Sequence, residues 1–515
     1  MAGSGVQGAN VGQFTISLEE AARATGPAAN EFIEPAAGTL ARATSNRNHL
    51  IFGRRGSGKT SLLQKAKSQM MENRRPNAYI DMEKFKGHAY PDVLISVLIE
   101  TFENIEGWLS GGAVAPANKK SFWKKLIPQR APLKRSTASL LSADINSYVK
   151  ELDTLLHAYD DAEIQLLQKD ERQSDRASKI DIGVQKGPIK AGLSDSTSSR
   201  SLSLDEVHET IRRSKIDSLH RRVIAYQKTL RQVVELAGGN GFILLDDMYY
   251  IKRSSQPEVL DYFHRLFKGT GLWLKVGTIR HRSSWYKNGD PPIGVKLGDD
   301  IEEIDLDLTL EKYKTAKRFL LDVTDNVANQ AGVDLREIIN EGARDRLVLA
   351  SGGVARDYLS ILRKSVAFAV DQSAEKVGVE AVNQGAGEHE SSKRDEFHRD
   401  VVDGQFELEE ELERIKTFCL ATQKKNCFLI EKDLASDRYE RVKELVDLRL
   451  VHSINSRVTV RHRPGRIYEA YMLDISQYTG ERKRRNVEII EFWKRDGSEK
   501  LRGASLIYAE VKSAR

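Results

Sequence analysis

The chain has 515 residues, 40% of them hydrophobic, with 80 Lys and Arg against 74 Asp and Glu, a net charge of +6 and a pI near 8.9. That content supports several cores and excludes global disorder, while two cysteines, Cys419 and Cys427, in no CxxC or Cys/His pattern, exclude a disulfide framework and read as buried, idle thiols. No apolar run reaches about eighteen residues and residues 1–14 lack the basic and apolar regions of a signal peptide, so the expected setting is soluble, reducing and cytoplasmic, with no membrane partner.

Residues 1–46 form an N-terminal arm, Gly- and Ala-rich at its start, with short helices expected around Phe32, Ile33 and Leu40. At residues 48–60 an apolar strand (Leu50, Ile51, Phe52) breaks into Gly53-Arg54-Arg55-Gly56-Ser57-Gly58-Lys59-Thr60 and then into an amphipathic run. This is the phosphate-binding P-loop pattern in its required strand-to-helix context. Its glycines let backbone N–H groups curl around phosphates, Lys59 adds a point charge, and the Thr60 hydroxyl is a ligand for Mg²⁺. A second strand at 78–81 and a second helix at 93–102 continue the rhythm of a parallel sheet.

Residues 106–239 interrupt that rhythm as an insertion. It opens with a basic, aromatic stretch (Lys119, Lys120, Phe122, Trp123, Lys124, Lys125, Arg130, Lys134, Arg135). A heptad stripe follows (Ile145, Val149, Leu152, Leu156, Tyr159), then a polar linker with a hairpin pattern at 180–189, then a second stripe (Leu219, Val223, Tyr226, Leu230, Val233). Two such stripes predict a protruding, coiled-coil-like hairpin, against the alternative that both pack on the core or on a partner.

The run 242–247 ends in Asp246-Asp247, the form a buried parallel strand takes when its C-terminal edge faces a ligand. A helix at 256–268, a fourth strand at 272–279 ending in Gly277-Thr278-Ile279-Arg280-His281-Arg282, and a fifth at 301–308 complete a core over 47–310. Residues 311–386 read as a helical lid, broken at Gly353-Val354-Ala355-Arg356, and 387–404 as a polar linker holding the solvated histidines His389 and His398. Residues 405–479 run helix, short strand, helix (431–436), helix and two strands around the basic turn Arg461-His462-Arg463-Pro464-Gly465-Arg466, the order of a winged helix. A basic, weakly helical tail at 480–515 carries Arg482, Lys483, Arg484, Arg485 and Trp493.

Taken together these motifs resemble an AAA+ ATPase of the origin-recognition and STAND type over residues 48–478, outside the insertion. The resemblance implies an α/β fold: a parallel five-stranded P-loop NTPase sheet with helical lid, helical insertion and C-terminal winged-helix domain. It implies ATP and Mg²⁺ as ligands, Asp246 holding the metal through its water shell and Asp247 orienting or deprotonating the attacking water. AAA+ enzymes usually have Glu at the second acidic place, whereas STAND proteins often have Asp. The fourth strand looks like a sensor 1 position filled by Thr278 or Arg280, and the segment 353–356 is similar to a sensor 2 motif in which Arg356 reaches the γ-phosphate.

Three function classes follow. The first is an ATP-hydrolysing switch acting on DNA or a DNA-bound partner, such as a loader, a replication or transposition helper, or a prokaryotic defence ATPase. DNA, duplex or single-stranded, would meet the basic insertion, the wing cations Arg461, Arg463 and Arg466, and the tail with Trp493 as a stacking face; each patch also reads as a solvated surface or a dock for an acidic protein. The second class is a STAND-type signalling or scaffold ATPase whose winged helix binds a protein client, and the third a small-molecule kinase. An ATP-dependent homo-oligomer is expected, with one of Arg280, His281 and Arg282 serving a neighbour's ATP.

Overall fold

Strand β1 (His49–Phe52) is buried at all four positions, the condition of a strand covered by helices on both faces. The computed structural model describes residues 5–23, 32–112, 135–158, 204–400, 405–432, 436–461, 463–479 and 486–508. After β1 come β2 (Asn77–Asp81), β3 (Gly241–Asp246) and β4 (Leu272–Thr278), a separate hairpin of β5 (Tyr286–Lys287) and β6 (Ile293–Gly294), and then β7 (Glu302–Asp305). The main sheet is parallel with order β2-β3-β4-β1-β7. All its strands therefore end at one edge.

Alternation along each strand divides the core. Leu50, Phe52, Ile243 and Leu245 face α4 (Asp92–Gly107) and a later helix at Gln256–Phe267, whereas Ile51, Phe242, Leu244 and Ile304 face α3 (Lys59–Glu72). A short α2 (Thr39–Ala43) and the N-terminal α1 (Val11–Arg23) precede the sheet.

The insertion supplies α5 (Arg135–Leu156) and α6 (Leu204–Ala237); α7 is the helix Gln256–Phe267. The two stripes do meet, through an Arg222–Glu151 ion pair at 2.7 Å and a Tyr148–Thr229 hydrogen bond at 3.1 Å. They also lie against the core, which corrects the expectation of a protruding hairpin. Tyr226 packs on Phe102 of α4 at 5.0 Å between ring centres, and the Tyr262 hydroxyl of α7 donates to the Leu219 carbonyl. Burying a side chain of this size stabilises by about 2 kcal/mol, so a hairpin that left Phe102, Tyr226 and Tyr262 in water would be the costlier arrangement. The basic stretch 119–134 and the hairpin pattern at 180–189 lie outside the described residues.

The lid comprises α8 (Tyr313–Gln330), α9 (Leu335–Ile338), α10 (Glu341–Ser351), α11 (Ala355–Asp371) and α12 (Val379–Asp400). Helix α12 takes the place of the expected linker from 387 to Asp400; residues 401–404 lie outside the described residues. Its polar composition hides a helical face: Ala386, His389, Glu390, Lys393 and Phe397 recur at three- and four-residue spacing and are buried. His389 is no loop histidine, since its Nε2 lies 3.2 Å from the Asp357 carboxylate, while His398, exposed, sits on α12 near Glu409. Helix α1 docks on the lid through Val11, Phe14 and Leu18.

The C-terminal module contains α13 (Gln405–Lys416), β8 (Cys427–Glu431), α14 (Asp437–Asp447), β9 (Val451–Val458) and β10 (Tyr468–Leu473), with antiparallel order β8-β10-β9. Of the helix expected at 431–436, Glu431 belongs instead to β8, and residues 433–435 lie outside the described residues. Residues 486–508 are not a free tail. They fold back on the module, with a short α15 (Arg495–Lys500), and Trp493 stacks on Tyr313 at 4.4 Å and 10°, so this ring is already covered. Residues 482–485 lie outside the described part. Cys419 and Cys427 are buried free thiols, and among the described residues no helix is long and apolar enough to cross a membrane.

A buried ionic joint ties lid to module. Arg449 donates to Asp357 at 2.5 Å, and Lys393 reaches Asp474 at 2.8 Å and Asp357 at 3.6 Å. His452 adds a 2.6 Å bond to Asp474. Paired in this way, both carboxylates stay well below the usual range despite full burial.

On the central strand β4 Lys275 is buried, and among the described residues no carboxylate pairs with it. Its ammonium donates to the Ser45 and Arg47 carbonyls at 2.8 and 2.7 Å, and burial pushes its pKa down to about 7. The unfolded chain keeps this proton to a higher pH than the folded one, so the penalty is full below about 7 and fades as pH rises. The gap in unfolding midpoint between the native chain and Lys275→Met should shift in favour of the native chain between about pH 7 and pH 9.5, readable by calorimetry.

Candidate phosphate-binding site

Beyond Phe52 the chain turns through residues 53–58 into α3. Gly56 and Gly58 stand at φ 79° and 95°, where a side chain would be strained, and a Cβ at 56 would come 2.5 Å from the Cβ of Arg356. The first-turn amides of α3 have no partners within their own helix and form its positive end. The Ser57 hydroxyl beside them is buried without a hydrogen-bond partner.

Lys59 is buried at 5% exposure, with Nζ donating to the Gly53 carbonyl at 2.9 Å and the Arg54 carbonyl at 3.3 Å. The closest carboxylate oxygen in its ion pair, Oδ1 of Asp247, is 3.9 Å away. Burial pulls the ammonium below its ordinary pKa, against the opposing pull of Asp247 and Asp246. An anion placed beside it would pull in the same direction as the two carboxylates.

Asp246 closes β3, in register with Asp81 of β2. Its Oδ2 accepts from the Tyr79 hydroxyl at 2.7 Å, and its Oδ1 is buried with no hydrogen-bond partner. Burial raises this carboxyl; Tyr79, Thr60 and Lys59 oppose the rise. Asp247 follows in the left-handed region at φ 55°, a strained conformation for a non-glycine residue, and its carboxyl is pushed up to about 6 by burial and then by Asp246. Among the described residues no three His, Cys, Asp or Glu side chains are grouped to hold a metal by themselves.

Arg356 opens α11 directly over the loop. Its backbone N–H donates to the Gly56 carbonyl at 3.4 Å and its Nε to the Ala22 carbonyl of α1 at 3.2 Å. The cleft so formed holds about 330 Å³. Loop residues 55–61, Asp247, Tyr249, Tyr250 and Arg356 are among its lining, together with the apolar Phe32, Ile33, Phe319, Val323 and Leu359.

Other residues singled out from the sequence are held elsewhere. The Thr278 hydroxyl is buried against the Ser283 hydroxyl, and only its carbonyl serves the loop, accepting from Gly53 at 3.2 Å. Arg280 pairs with Glu303 and Asp305 and covers the Phe52 ring at 4.0 Å, so two carboxylates on β7 hold it outside the cleft lining. Arg54 contributes backbone to the loop, but its side chain turns away to Asp307 at 3.2 Å and the Gly352 carbonyl. Arg55 stays in the cleft, donating to the Tyr249 hydroxyl at 3.2 Å and to that of Tyr250. The His281 backbone donates to Asp447 of α14 at 3.1 Å, and Arg282 lies over Tyr249 at 5.2 Å. The segment after β4 therefore meets the C-terminal module through the His281 backbone amide.

Sequence reasoning missed three aromatic residues. Tyr249 and Tyr250, stacked at 4.6 Å, stand as a visible pair just after the two acids. Tyr79 meets an acid 167 positions away, which no local pattern displays.

No family model and no curated protein matches the sequence. Solved structures similar to the chain include the Aeropyrum pernix ORC1 protein in complex with DNA, at 15% identity and TM-score 0.36, covering 89% of this chain and 93% of that one. The Aeropyrum pernix ORC2 protein in ADPNP-ADP complexes is similar at 11% identity and TM-score 0.38, covering 87% and 92%. Drosophila ORC bound to DNA is similar at 11% identity and TM-score 0.32, covering 89% of each.

The geometry separates the two arginines. Arg280→Ala should leave nucleotide affinity unchanged and cost about 1 kcal/mol of stability or less, as a part-exposed pair does. Arg356→Ala should weaken nucleotide binding about tenfold, measured with a fluorescent ATP analogue.

Proposed function

We propose that the protein is an ATP-binding and ATP-hydrolysing switch of the AAA+ type, related to the origin-recognition group, that acts on DNA or on a DNA-bound partner. The observation that carries this reading is the buried Lys59 ammonium 3.9 Å from Asp247, under a loop that Arg356 closes. The residues fit a nucleotide carrying Mg²⁺: Thr60 and Asp246, with its unpartnered buried oxygen, would hold the metal, and the loop amides with Lys59 the phosphates. When bound, the nucleotide supplies the phosphoanhydride and the metal supplies neutralising charge.

The chain's own residues do the rest. Asp247, held in a fixed backbone conformation, accepts a proton from water or orients it, and Arg356 places a cation opposite Lys59. Tyr249 and Tyr250 wall the cleft against solvent, and the apolar lining of Phe32 and Val323 suits a base. Thr278 and Arg280 act through the scaffold, one by its carbonyl and the other by its β7 pairs.

The strand order β8-β10-β9, with α14 ahead of β9, supports a winged-helix reading of the C-terminal module, and Arg461, Arg463 and Arg466 are exposed at its turn. DNA would meet these cations, with the basic stretches at 119–135 and 482–485 as further contacts. One observation favours a protein client instead. The cations of α14 are committed internally, Arg438 and Arg441 to Glu411 and Lys443 to Glu469, and do not present a reading face. A kinase reading gains nothing from the lid and module. An ATP-dependent homo-oligomer belongs to this proposal, and the pairing of Arg280 with Glu303 and Asp305 weakens its own claim to a neighbour's ATP.

Lys59→Ala should abolish the thermal stabilisation by Mg-ATP, a shift worth about 2.7 kcal/mol in the native chain at a hundredfold excess over Kd. Asp247→Asn should keep that stabilisation and slow turnover about a hundredfold or more. Stabilisation that survives Lys59→Ala overturns the assignment.

Arg461→Ala with Arg463→Ala tests the partner. Duplex affinity should fall for all sequences alike, with the salt slope shallower by about one per residue. Unchanged affinity and slope select the protein client.

A further inference from the structure

We propose that Tyr79 is a positioning residue for Asp246: its phenol fixes the rotation of the carboxylate so that the second oxygen is presented toward the magnesium side, with Gly277 shaping the seat. This rests on the nucleotide reading above and assigns a residue to it from the opposite strand. Tyr79 sits on the edge strand β2 opposite Leu244, on the sheet face covered by α3. Its hydroxyl reaches two residues along the neighbouring strand and donates to Asp246 Oδ2 at 2.7 Å. Lys67 of α3 lies over its ring at 5.2 Å. The ring is thus held between a helix and the sheet.

The other carboxylate oxygen is shaped from the opposite side. Gly277 of β4 faces it, and a Cβ at position 277 would stand 2.9 Å from Oδ1, closer than real Cβ contacts allow. An aspartate χ2 torsion is broad and roughly two-fold, so a lone Asp246 would swivel. A donor on one oxygen and a bare backbone beside the other remove that freedom. A ligand to a metal gains both affinity and geometry from such outer contacts. The bland reading is that Tyr79 fills the core under α3 beside Leu63 and Phe242. Packing alone, however, needs the ring and not the hydroxyl.

That difference sets the experiment. The full-length native chain and Tyr79→Phe are titrated with a fluorescent ATP analogue, first in EDTA and then across a magnesium series. In Tyr79→Phe the affinity in EDTA should match the native value to within about twofold, and the magnesium midpoint should rise about tenfold, the usual loss when a partner of a metal ligand is removed. Gly277→Ala should move the same midpoint in the same direction. An unchanged magnesium midpoint in Tyr79→Phe, with a native chain that does respond to magnesium, overturns the proposal and leaves the nucleotide site standing. An equal loss of affinity with and without magnesium also overturns it, marking Tyr79 as packing alone. A native chain that binds no analogue under either condition overturns the nucleotide reading itself.

Discussion

A buried ammonium held by carbonyls and not by a contacting anion is the constraint on which this molecule is arranged. Lys59 rests on the Gly53 and Arg54 carbonyls, and its carboxylate partner stands off at 3.9 Å. Taking a charge out of water is expensive unless it is paired and hydrogen-bonded. The surroundings therefore have to deliver compensation at one point. β1 ends there, β3 brings Asp246 and Asp247 to the same edge, and the lid lays Arg356 across the loop. In the proposed nucleotide reading, a phosphate at that point would complete a balance that these groups alone leave open.

The same rule decides where the other cations go. Arg54 lies among the loop glycines, yet its guanidinium is sunk against Asp307 and the Gly352 carbonyl, where it joins the loop to the lid. Arg280 is taken by Glu303 and Asp305, and Arg449 by Asp357 and Glu396. Each finds carboxylates supplied by a different element. Near the phosphate site a cation is thus as often a strut as a ligand.

This explains what could be read from the sequence. The P-loop, the acids closing β3 and the five parallel strands were legible, because each is a local pattern: glycines where φ must be positive, apolar runs where both faces are covered. Helix α12 was not, because its buried face is built from His389, Glu390 and Lys393, residues that look solvated until Asp357 and Asp474 appear beside them. The fate of Arg280 was hidden for the same reason, its partners being on β7. The packing of α5 and α6 turned on aromatic residues of α4 and α7 that a heptad count does not include. Long-range pairing, not local propensity, was the missing information.

The shared lysine in the ionic joint has a mechanical consequence. Lys393, on the lid, is divided between a carboxylate of the lid and one of the C-terminal module, and the two regions also share one continuous apolar core. Shearing them apart would strand two buried carboxylates and their cations together. Lid and module are therefore fastened to each other against shear. Together they meet the sheet along a seam where Arg54 bonds the Leu308 and Gly352 carbonyls and the His281 amide meets Asp447. A displacement of the lid at this seam would carry the module with it, because the joint between the two gives only by stranding buried charge.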